Sequence, residues 1–208
     1  AEDVTIHKES VSFGVGGTKF RVSVYGGHNV QNLLLAIAAA KEMGMRLEEM
    51  AKACETISPD LGALKVRKGI NGATLIDSTY SANPDGVIAD LEYLSLYEGK
   101  KILIMPCLIE LGKASKDAHI RIGKKIAEVC DLAIITTKEH FEDLQQGGNQ
   151  SDTIIYMESV QAIGEKIKNF AGAGGTVLLE GGKESRIQRQ LLVLLVEQKS
   201  MPQEATRH

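Results

Sequence analysis

The sequence predicts an α/β protein whose mostly parallel sheet carries helices on both faces. Short apolar segments that are typical of buried strands alternate with longer helical segments from about residue 74 onward. Ahead of them, polar and apolar residues alternate on both sides of the Gly16-Gly17 pair, which predicts a β-hairpin. This change of pattern indicates that the parallel sheet follows a smaller unit of a different kind.

The first unit is predicted to contain the hairpin and two helices. Its extended segments cover residues 4–7, 11–15 and 19–24, and its helices cover residues 30–43 and 47–56. We interpret Pro59 to Gly62 as a linker. The predicted units are therefore residues 1–60 and residues 61–208, and we expect few packed contacts to cross between them.

The second unit repeats strands and helices in alternation. Asn83-Pro84 is a typical start signal for the first of these helices. The predicted strands cover residues 74–76, 101–105, 132–136, 153–156 and 176–180, and the predicted helices cover residues 85–96, 115–130, 139–145, 159–170 and 185–197. Such alternation implies a Rossmann-like sheet, and ligands of these folds bind beyond the carboxyl ends of the strands.

Composition narrows the possible function classes. The chain has 208 residues, of which 43% are hydrophobic, enough for one good core or two modest ones. A net charge of -3 argues against nucleic-acid binding and a polybasic membrane anchor, and no apolar run approaches the roughly 20 residues of a transmembrane helix. Three distant cysteines and five scattered histidines predict neither a disulfide framework nor a zinc site. We therefore expect a protein of the reducing cytoplasm, and we also expect it to be a monomer.

The stretch from Gly26 to Ala36 is the most informative segment of the chain. A glycine pair ends an extended segment, and Asn29 and Asn32 follow at the mouth of an Ala- and Leu-rich helix. At this spacing both amides lie on one face of the first helical turn. Amides carry the donors and the acceptor needed to bind the edge of a purine. The alternative interpretation is an asparagine N-cap on a buried helix.

Unusual polar residues follow three of the predicted strands. The loops are residues 77–85, residues 106–112 with His119 beyond them, and residues 181–186. Because a doubly wound sheet brings such loops to one edge, we expect them to form one site. Its candidate residues are Asp77, Tyr80, Asn83, Glu110, His119, Lys183 and Arg186.

Four segments together resemble the Mur ligase family. Residues 26–36 are similar to the G-x-H-N-x-x-N pattern that ends the family's central ATPase domain. Residues 76–85 resemble the D-D-S-Y-N-A-N-P-D loop of the branch that adds a dipeptide. Glu110-Leu111-Gly112 with His119 is similar to that branch's E-L-G…H segment, and residues 181–186 resemble its G-S-R ending. The four segments occur in order and with suitable spacing over about residues 25–195.

The resemblance implies the tail of a central ATPase domain followed by a whole C-terminal domain. The implied reaction is ATP-dependent amide-bond formation through an acyl phosphate, with Mg²⁺, in peptidoglycan precursor synthesis. The implied substrates are a nucleotide-linked peptide precursor and an amino acid or dipeptide. Two alternatives stay open, namely a ligase of the same superfamily with a different amine substrate and a non-catalytic Rossmann-like binding module.

The resemblance also implies roles for individual residues. Nucleotide contacts fall to His28, Asn29, Asn32 and Asp77, and substrate contacts fall to Tyr80, Asn83, Glu110, His119, Lys183 and Arg186. Glu110 and His119 are expected to orient the incoming amine, and Arg186 with Lys183 to bind its carboxylate. Each has a structural alternative: Asp77 can form a turn, Asn83 can start a helix, His119 can lie on a surface helix face, and the two cations can belong to a solvated turn.

Some positions depart from the family pattern. Gly62-Ala63 stands where a Gly-Arg pair is expected, Ser78 replaces the second aspartate, and Met105-Pro106-Cys107 replaces L-G-D. No G-x-x-x-x-G-K-[ST] phosphate loop occurs in the 208 residues, and no residue is assigned as catalytic or as a metal ligand. We therefore expect this chain alone to lack ligase activity and to bind nucleotide weakly.

Overall fold

A computed structural model describes residues 1–59, 64–171, 174–182 and 185–196. Most of the predicted linker, together with Ala63 and Lys183, lies outside these ranges. The predicted boundary between two structural units, near residue 60, therefore stays a prediction.

The first 54 residues form a three-stranded antiparallel sheet and two helices. The strands are β1 (Glu2–Ile6), β2 (Val11–Val15) and β3 (Thr18–Val22), in that order, and the helices are α1 (Asn29–Glu42) and α2 (Leu47–Cys54). Phe13 and Phe20 stack with ring centroids 5.3 Å apart, in a core that α1 and α2 complete. The structure confirms the hairpin and both helices, and it adds β1 to the hairpin's edge.

The remaining strands form a six-stranded sheet. They are β4 (Lys65–Lys68), β5 (Thr74–Ser78), β6 (Lys101–Met105), β7 (Leu132–Ile135), β8 (Ile154–Tyr156) and β9 (Thr176–Glu180). Their order in the sheet is β4-β5-β9-β6-β7-β8. Every neighbouring pair is parallel except β4 with β5, which is antiparallel. The predicted α/β class with a mostly parallel sheet is confirmed.

Helices cover both faces of this sheet. They are α3 (Pro84–Leu94), α4 (Ser115–Val129), α5 (Phe141–Gly147), α6 (Val160–Ala171) and α7 (Arg186–Leu195). Successive side chains of a strand point to opposite faces. Leu103 of β6 accordingly packs with α3, α4 and α5, while Ile102 and Ile104 pack with α6 and α7. Among the described helices, none combines the length and apolar character that a membrane span requires.

Strand β4 is the one element of the sheet that the sequence pattern did not predict. Three of its four residues are basic, and it has no apolar run. It pairs only with β5 among the described strands, with Arg67 opposite Leu75. An edge strand with solvent-facing charges needs little apolar surface, so hydrophobic pattern does not reveal it.

Contacts between the N-terminal strands and the second part of the chain involve α3 and the residues directly after it. The Tyr93 hydroxyl donates to the Lys8 carbonyl oxygen, and the Lys8 ammonium lies 5.0 Å from the centroid of the Tyr97 ring. The Tyr25 ring lies beside Tyr93, with centroids 6.1 Å apart. These contacts place the Gly26-to-Ala36 stretch next to the C-terminal sheet.

Helices α4 and α5 approach each other at backbone distance. A Cβ atom added at Gly123 would lie 2.0 Å from the Leu144 carbonyl oxygen, and one at Gly147 would lie 2.0 Å from the Ile120 carbonyl oxygen. Both distances are far shorter than any real carbon–oxygen contact. Glycine is therefore required at both positions, because any side chain would push the helices apart.

We expect Gly123→Ala to lower the free energy of unfolding by about 1–3 kcal/mol, the usual effect of overpacking a filled interior. Urea unfolding followed by circular dichroism measures it. Gly182→Ala is the matched control, because an added methyl group there meets none of the described atoms within 4 Å. Equal stability of the two variants would show that α4 and α5 can separate without loss.

Candidate functional site

Four loops meet at the carboxyl edge of the parallel sheet. They follow β5, β6, β7 and β9, and they enclose a cavity of about 300 Å³. Its walls are formed by Ala82, Pro106, Cys107, Leu108, Ile109, Thr137, Glu139, Gly182 and Ser185. The sequence predicted three of these loops but not the one after β7. The same signal was available there, because Thr137 and Glu139 also follow a predicted strand.

A second cavity, of about 340 Å³, lies beside the first. It is lined by Leu108, Ile109, Glu110, Leu111, Gly112, Ser115, Glu139 and His140. Glu110 is exposed and has a φ of 63°, and Gly112 has a φ of 55°. The left-handed region is unfavourable for a residue with a Cβ atom, so the surrounding structure must hold Glu110 in it.

His119 lies behind this loop and is fully buried. The Leu108 N–H donates to its Nε2 over 3.0 Å, and its Nδ1 lies 2.7 Å from the Ser115 carbonyl oxygen. A carbonyl oxygen only accepts, so Nδ1 carries the proton and the ring is neutral. Burial lowers the pKa of His119, which favours the same state. The surface-helix interpretation is therefore wrong, and direct contact with a substrate would require one of these bonds to break.

His140 and Asp143 extend this arrangement from the side of α5. The imidazoles of His119 and His140 stack with centroids 4.4 Å apart and planes inclined by 19°. His140 Nε2 lies 2.8 Å from the Ser115 hydroxyl, and its Nδ1 lies 2.9 Å from Asp143 Oδ2. The sequence did not point to Ser115, His140 or Asp143, because their proximity follows from the packing of α5 on α4.

Arg186 begins α7, directly after the cavity-lining residue Ser185, and is exposed. The Ser185 hydroxyl donates to Gln188 Oε1. The amide of Gln188, which is fully buried, donates to Thr136 Oγ1 at the end of β7 over 3.0 Å. The start of α7 is thus fixed to the sheet edge that carries the other loops.

Two candidate residues, one at the end of β5 and one in the loop after it, stabilise the local structure. Asp77 accepts hydrogen bonds from the backbone N–H and hydroxyl of Thr79, over 3.2 and 2.8 Å, and from Nε of Arg67 over 3.2 Å. Asn83 caps α3 by accepting from the Gly86 N–H over 2.9 Å. Asp77 thus forms a turn and Asn83 starts a helix, which are the structural alternatives given above for these two residues. Tyr80 is 56% exposed in the same loop.

The Gly26-to-Ala36 stretch places its polar residues at the start of α1. His28 is the N-cap residue, so neither asparagine occupies the position that the capping interpretation requires. Asn29 Nδ2 donates to the Tyr25 carbonyl oxygen over 2.7 Å, and Asn32 Nδ2 donates to Asn29 Oδ1 over 3.3 Å. Asn32 itself is exposed.

A buried pair of carboxyl groups lies next to His28. Asp90 and Glu180 are 4% and 1% exposed, and the Ser78 hydroxyl donates to Asp90 Oδ2 over 2.6 Å. His28 Nδ1 lies 3.9 Å from Asp90 Oδ1. Among the described residues, neither Asp90 Oδ1 nor Glu180 Oε1 has a hydrogen-bond partner. Burial, and then the neighbouring Asp90 carboxylate, raise the pKa of Glu180 well above its ordinary value, which favours the protonated, neutral form of its carboxyl.

Comparison with known proteins identifies the family. A family model described as the glutamate ligase domain of Mur ligases matches residues 64–182, more than half of the chain. The chain belongs to the Mur ligase family. The UDP-N-acetylmuramoyl-tripeptide–D-alanyl-D-alanine ligase of Bacillus subtilis is 23% identical over 90% of this chain and 42% of its own length. The ligase of that name from Mycobacterium leprae is 33% identical over 52% of this chain and 24% of its own.

Solved structures of Mur ligases share the fold. The MurF ligase of Thermotoga maritima, solved in complex with ADP, has a TM-score of 0.75 at 21% identity and aligns with 93% of this chain and 44% of its own. MurF of Acinetobacter baumannii has a TM-score of 0.76 at 22% identity, over 92% of this chain and 43% of its own. This chain therefore spans less than half the length of these relatives.

The raised pKa of Glu180 predicts how this carboxyl makes the stability of the folded protein depend on pH. A pKa that is raised in the folded state contributes stability below the unfolded pKa, and that contribution is lost as pH rises toward the folded pKa. The contribution of Glu180 to stability should therefore fall as pH rises above about 4.5, the ordinary pKa of the carboxyl. Glu180→Gln, which replaces the proton with an uncharged amide, should reduce this slope and exceed the wild type in stability at pH 8.

Chemical unfolding at a series of pH values measures this slope. Glu142→Gln is the control, because Glu142 is an exposed glutamate in the first turn of α5. The stability of this variant should depend on pH in the same way as that of the wild type. If Glu180→Gln and the control run parallel to the wild type, the carboxyl pair does not share a proton.

Proposed function

We propose that this chain forms the amine-binding C-terminal part of an ATP-dependent ligase in the cytoplasm. The ligase joins D-alanyl-D-alanine to a UDP-N-acetylmuramoyl tripeptide in peptidoglycan precursor synthesis. The observation that carries the proposal is the cavity at the carboxyl edge of the sheet, which four loops build beside Glu110 and Arg186. The names of the related ligases support the choice of substrates.

The residues present fit the adenosine half of ATP. Asn32 exposes its amide at the start of α1. The contact between His28 and Asp90, together with the bond from Ser78 to Asp90, brings this segment to the end of β5, where Asp77 lies. In this proposal Asn29 and Asn32 contact the adenine and Asp77 lies near the ribose. ATP, when bound, supplies the phosphoryl group that activates the acceptor carboxylate.

The phosphate half of ATP and Mg²⁺ are assigned to the rest of the whole protein. These 208 residues contain no phosphate-loop motif, and the relatives are more than twice as long as the part this chain matches. This division leaves the present chain with the contacts to the adenosine half and with the binding and orientation of the amine substrate. Orientation alone can supply a large part of the rate enhancement of a reaction between two substrates.

The cavity suits a small dipeptide with charged ends. Ala82, Pro106 and Ile109 offer apolar surface to its methyl groups. Glu110, on the loop after β6, is proposed to bind the ammonium end, and Arg186, after β9, to bind the carboxylate. Strands β6 and β9 are neighbours, so the two loops leave the same edge side by side. Lys183 would add positive charge near Arg186 and lies outside the described residues.

In the whole protein, Arg186→Ala is expected to raise KM for D-alanyl-D-alanine about ten- to a hundredfold and to leave KM for ATP nearly unchanged. The reason is the loss of one charge-assisted hydrogen bond, which contributes roughly 1.5–3 kcal/mol. Steady-state kinetics with product identification measures both constants. Arg189→Ala, an exposed arginine on the same helix, is the control. Ligation of a different amine in preference to the dipeptide would identify another ligase of the superfamily, and no ligation of any amine would support a binding module.

The isolated 208-residue chain is expected to bind MgATP with a dissociation constant weaker than about 1 µM and to ligate nothing. It offers contacts to the adenosine half alone, and the phosphates carry much of the charge that a nucleotide site recognises. Isothermal titration calorimetry decides the question. Submicromolar binding would mean that these residues hold the phosphates as well.

A further inference from the structure

Four polar side chains connect the loop after β6 to the first turns of α4 and α5. They are Ser115, His119, His140 and Asp143, here called the histidine clamp. We propose that the histidine clamp fixes the backbone of residues 108–112, so that the Glu110 carboxylate meets the incoming amine. Ser115, His140 and Asp143 are thereby positioning residues for amine binding. The identity of the amine rests on the function proposed above.

The hydrogen bonds of the clamp meet at Ser115. His140 Nδ1 lies 2.9 Å from Asp143 Oδ2, and His140 Nε2 lies 2.8 Å from the Ser115 hydroxyl. The Ser115 carbonyl oxygen accepts from His119 Nδ1, and His119 Nε2 accepts from the Leu108 N–H. The two pairs of bonds are joined through the covalent structure of Ser115, and together they link the Asp143 carboxylate on α5 to the Leu108 amide in the loop after β6.

Packing fixes the geometry of these hydrogen bonds. The two imidazoles stack 4.4 Å apart, so His140 fixes the plane of the buried His119 ring. Gly123 and Gly147 bring α4 and α5 to backbone contact, which sets the distance between the first turns that carry Ser115 and Asp143. A rigid support of this kind is what a precisely oriented binding group needs.

The loop needs such support because its backbone is unfavourable by itself. Glu110 and Gly112 both have positive φ, and Glu110 carries a side chain that disfavours this conformation. The Leu108 N–H that His119 holds lies two residues before Glu110. Leu108, Glu110, Ser115 and His140 also line one cavity, so a shift at Leu108 moves the wall of the cavity that contains Glu110.

Two substitutions remove hydrogen bonds of the histidine clamp while keeping either most of its side-chain volume or the overall fold. His140→Phe retains a ring to stack on His119 but loses both hydrogen bonds, and Asp143→Ala removes the carboxylate. Asp143→Asn keeps an oxygen that accepts from His140 Nδ1 and serves as the conservative rescue. Glu142→Ala is the matched control, since Glu142 is the exposed acidic neighbour of Asp143 on α5.

The first measurement is hydrogen exchange of the Leu108 amide, by ¹H–¹⁵N NMR on the 208-residue chain. His140→Phe and Asp143→Ala should exchange about tenfold faster than the wild type, the effect of weakening one hydrogen bond. Glu142→Ala should match the wild type, and Asp143→Asn should stay within about threefold of it. Unchanged exchange in His140→Phe and Asp143→Ala would show that the clamp does not hold the loop.

The second measurement is the steady-state kinetics of the whole protein. His140→Phe and Asp143→Ala should raise KM for D-alanyl-D-alanine about tenfold and leave KM for ATP within about twofold. Faster Leu108 exchange with an unchanged KM for the dipeptide would overturn the proposal, because the clamp would then support only the fold. If the wild type itself ligates no dipeptide, the proposed function and the amine role of Glu110 both fall, and Leu108 exchange still decides whether the clamp holds the loop.

Discussion

The position of β9 between β5 and β6 determines where three of the four loops of the candidate site lie. β9 is the last strand in the sequence, yet it occupies the middle of the sheet and is parallel to both neighbours. The loops after β5, β6 and β9 therefore leave one edge side by side. A small cavity forms there from residues that lie as far apart in sequence as Ala82 and Ser185. This is the general way in which doubly wound sheets build ligand sites.

The same strand arrangement creates the buried carboxyl pair. The register of β5 on β9 sets Ser78 opposite Glu180 at the end of the sheet, and α3 brings Asp90 onto them. Two buried carboxyl groups so close together cannot both ionise at low cost, so burial and the Asp90 carboxylate raise the pKa of Glu180. His28 Nδ1 lies 3.9 Å from Asp90 Oδ1, so the pair is located where the Gly26-to-Ala36 stretch meets the sheet.

Helix packing connects the protein interior to the loop after β6, which carries Glu110. Gly123 and Gly147 allow α4 and α5 to touch, and this contact places His140 over His119. His119 is thus a buried link between α4 and the loop backbone rather than a group that faces a ligand. The loop that carries Glu110 is connected to α4 through the Leu108 bond to His119, and His119 in turn stacks on His140 at the start of α5.

The sequence by itself determined the class of fold, most of its elements and the family. Continuous apolar runs such as β6, β7 and β9 and periodic helices are local patterns, and local patterns survive in a sequence taken alone. The order of strands and loops in the sequence likewise predicted that Glu110 and Arg186 lie at the same edge of the sheet. The tertiary structure decided the rest, because burial and pairing depend on what packs against a residue. Strand β4 is mostly basic and has no hydrophobic pattern, His119 is buried and stacks on His140 in the folded chain, and Ser115 meets His140 across 25 positions of sequence.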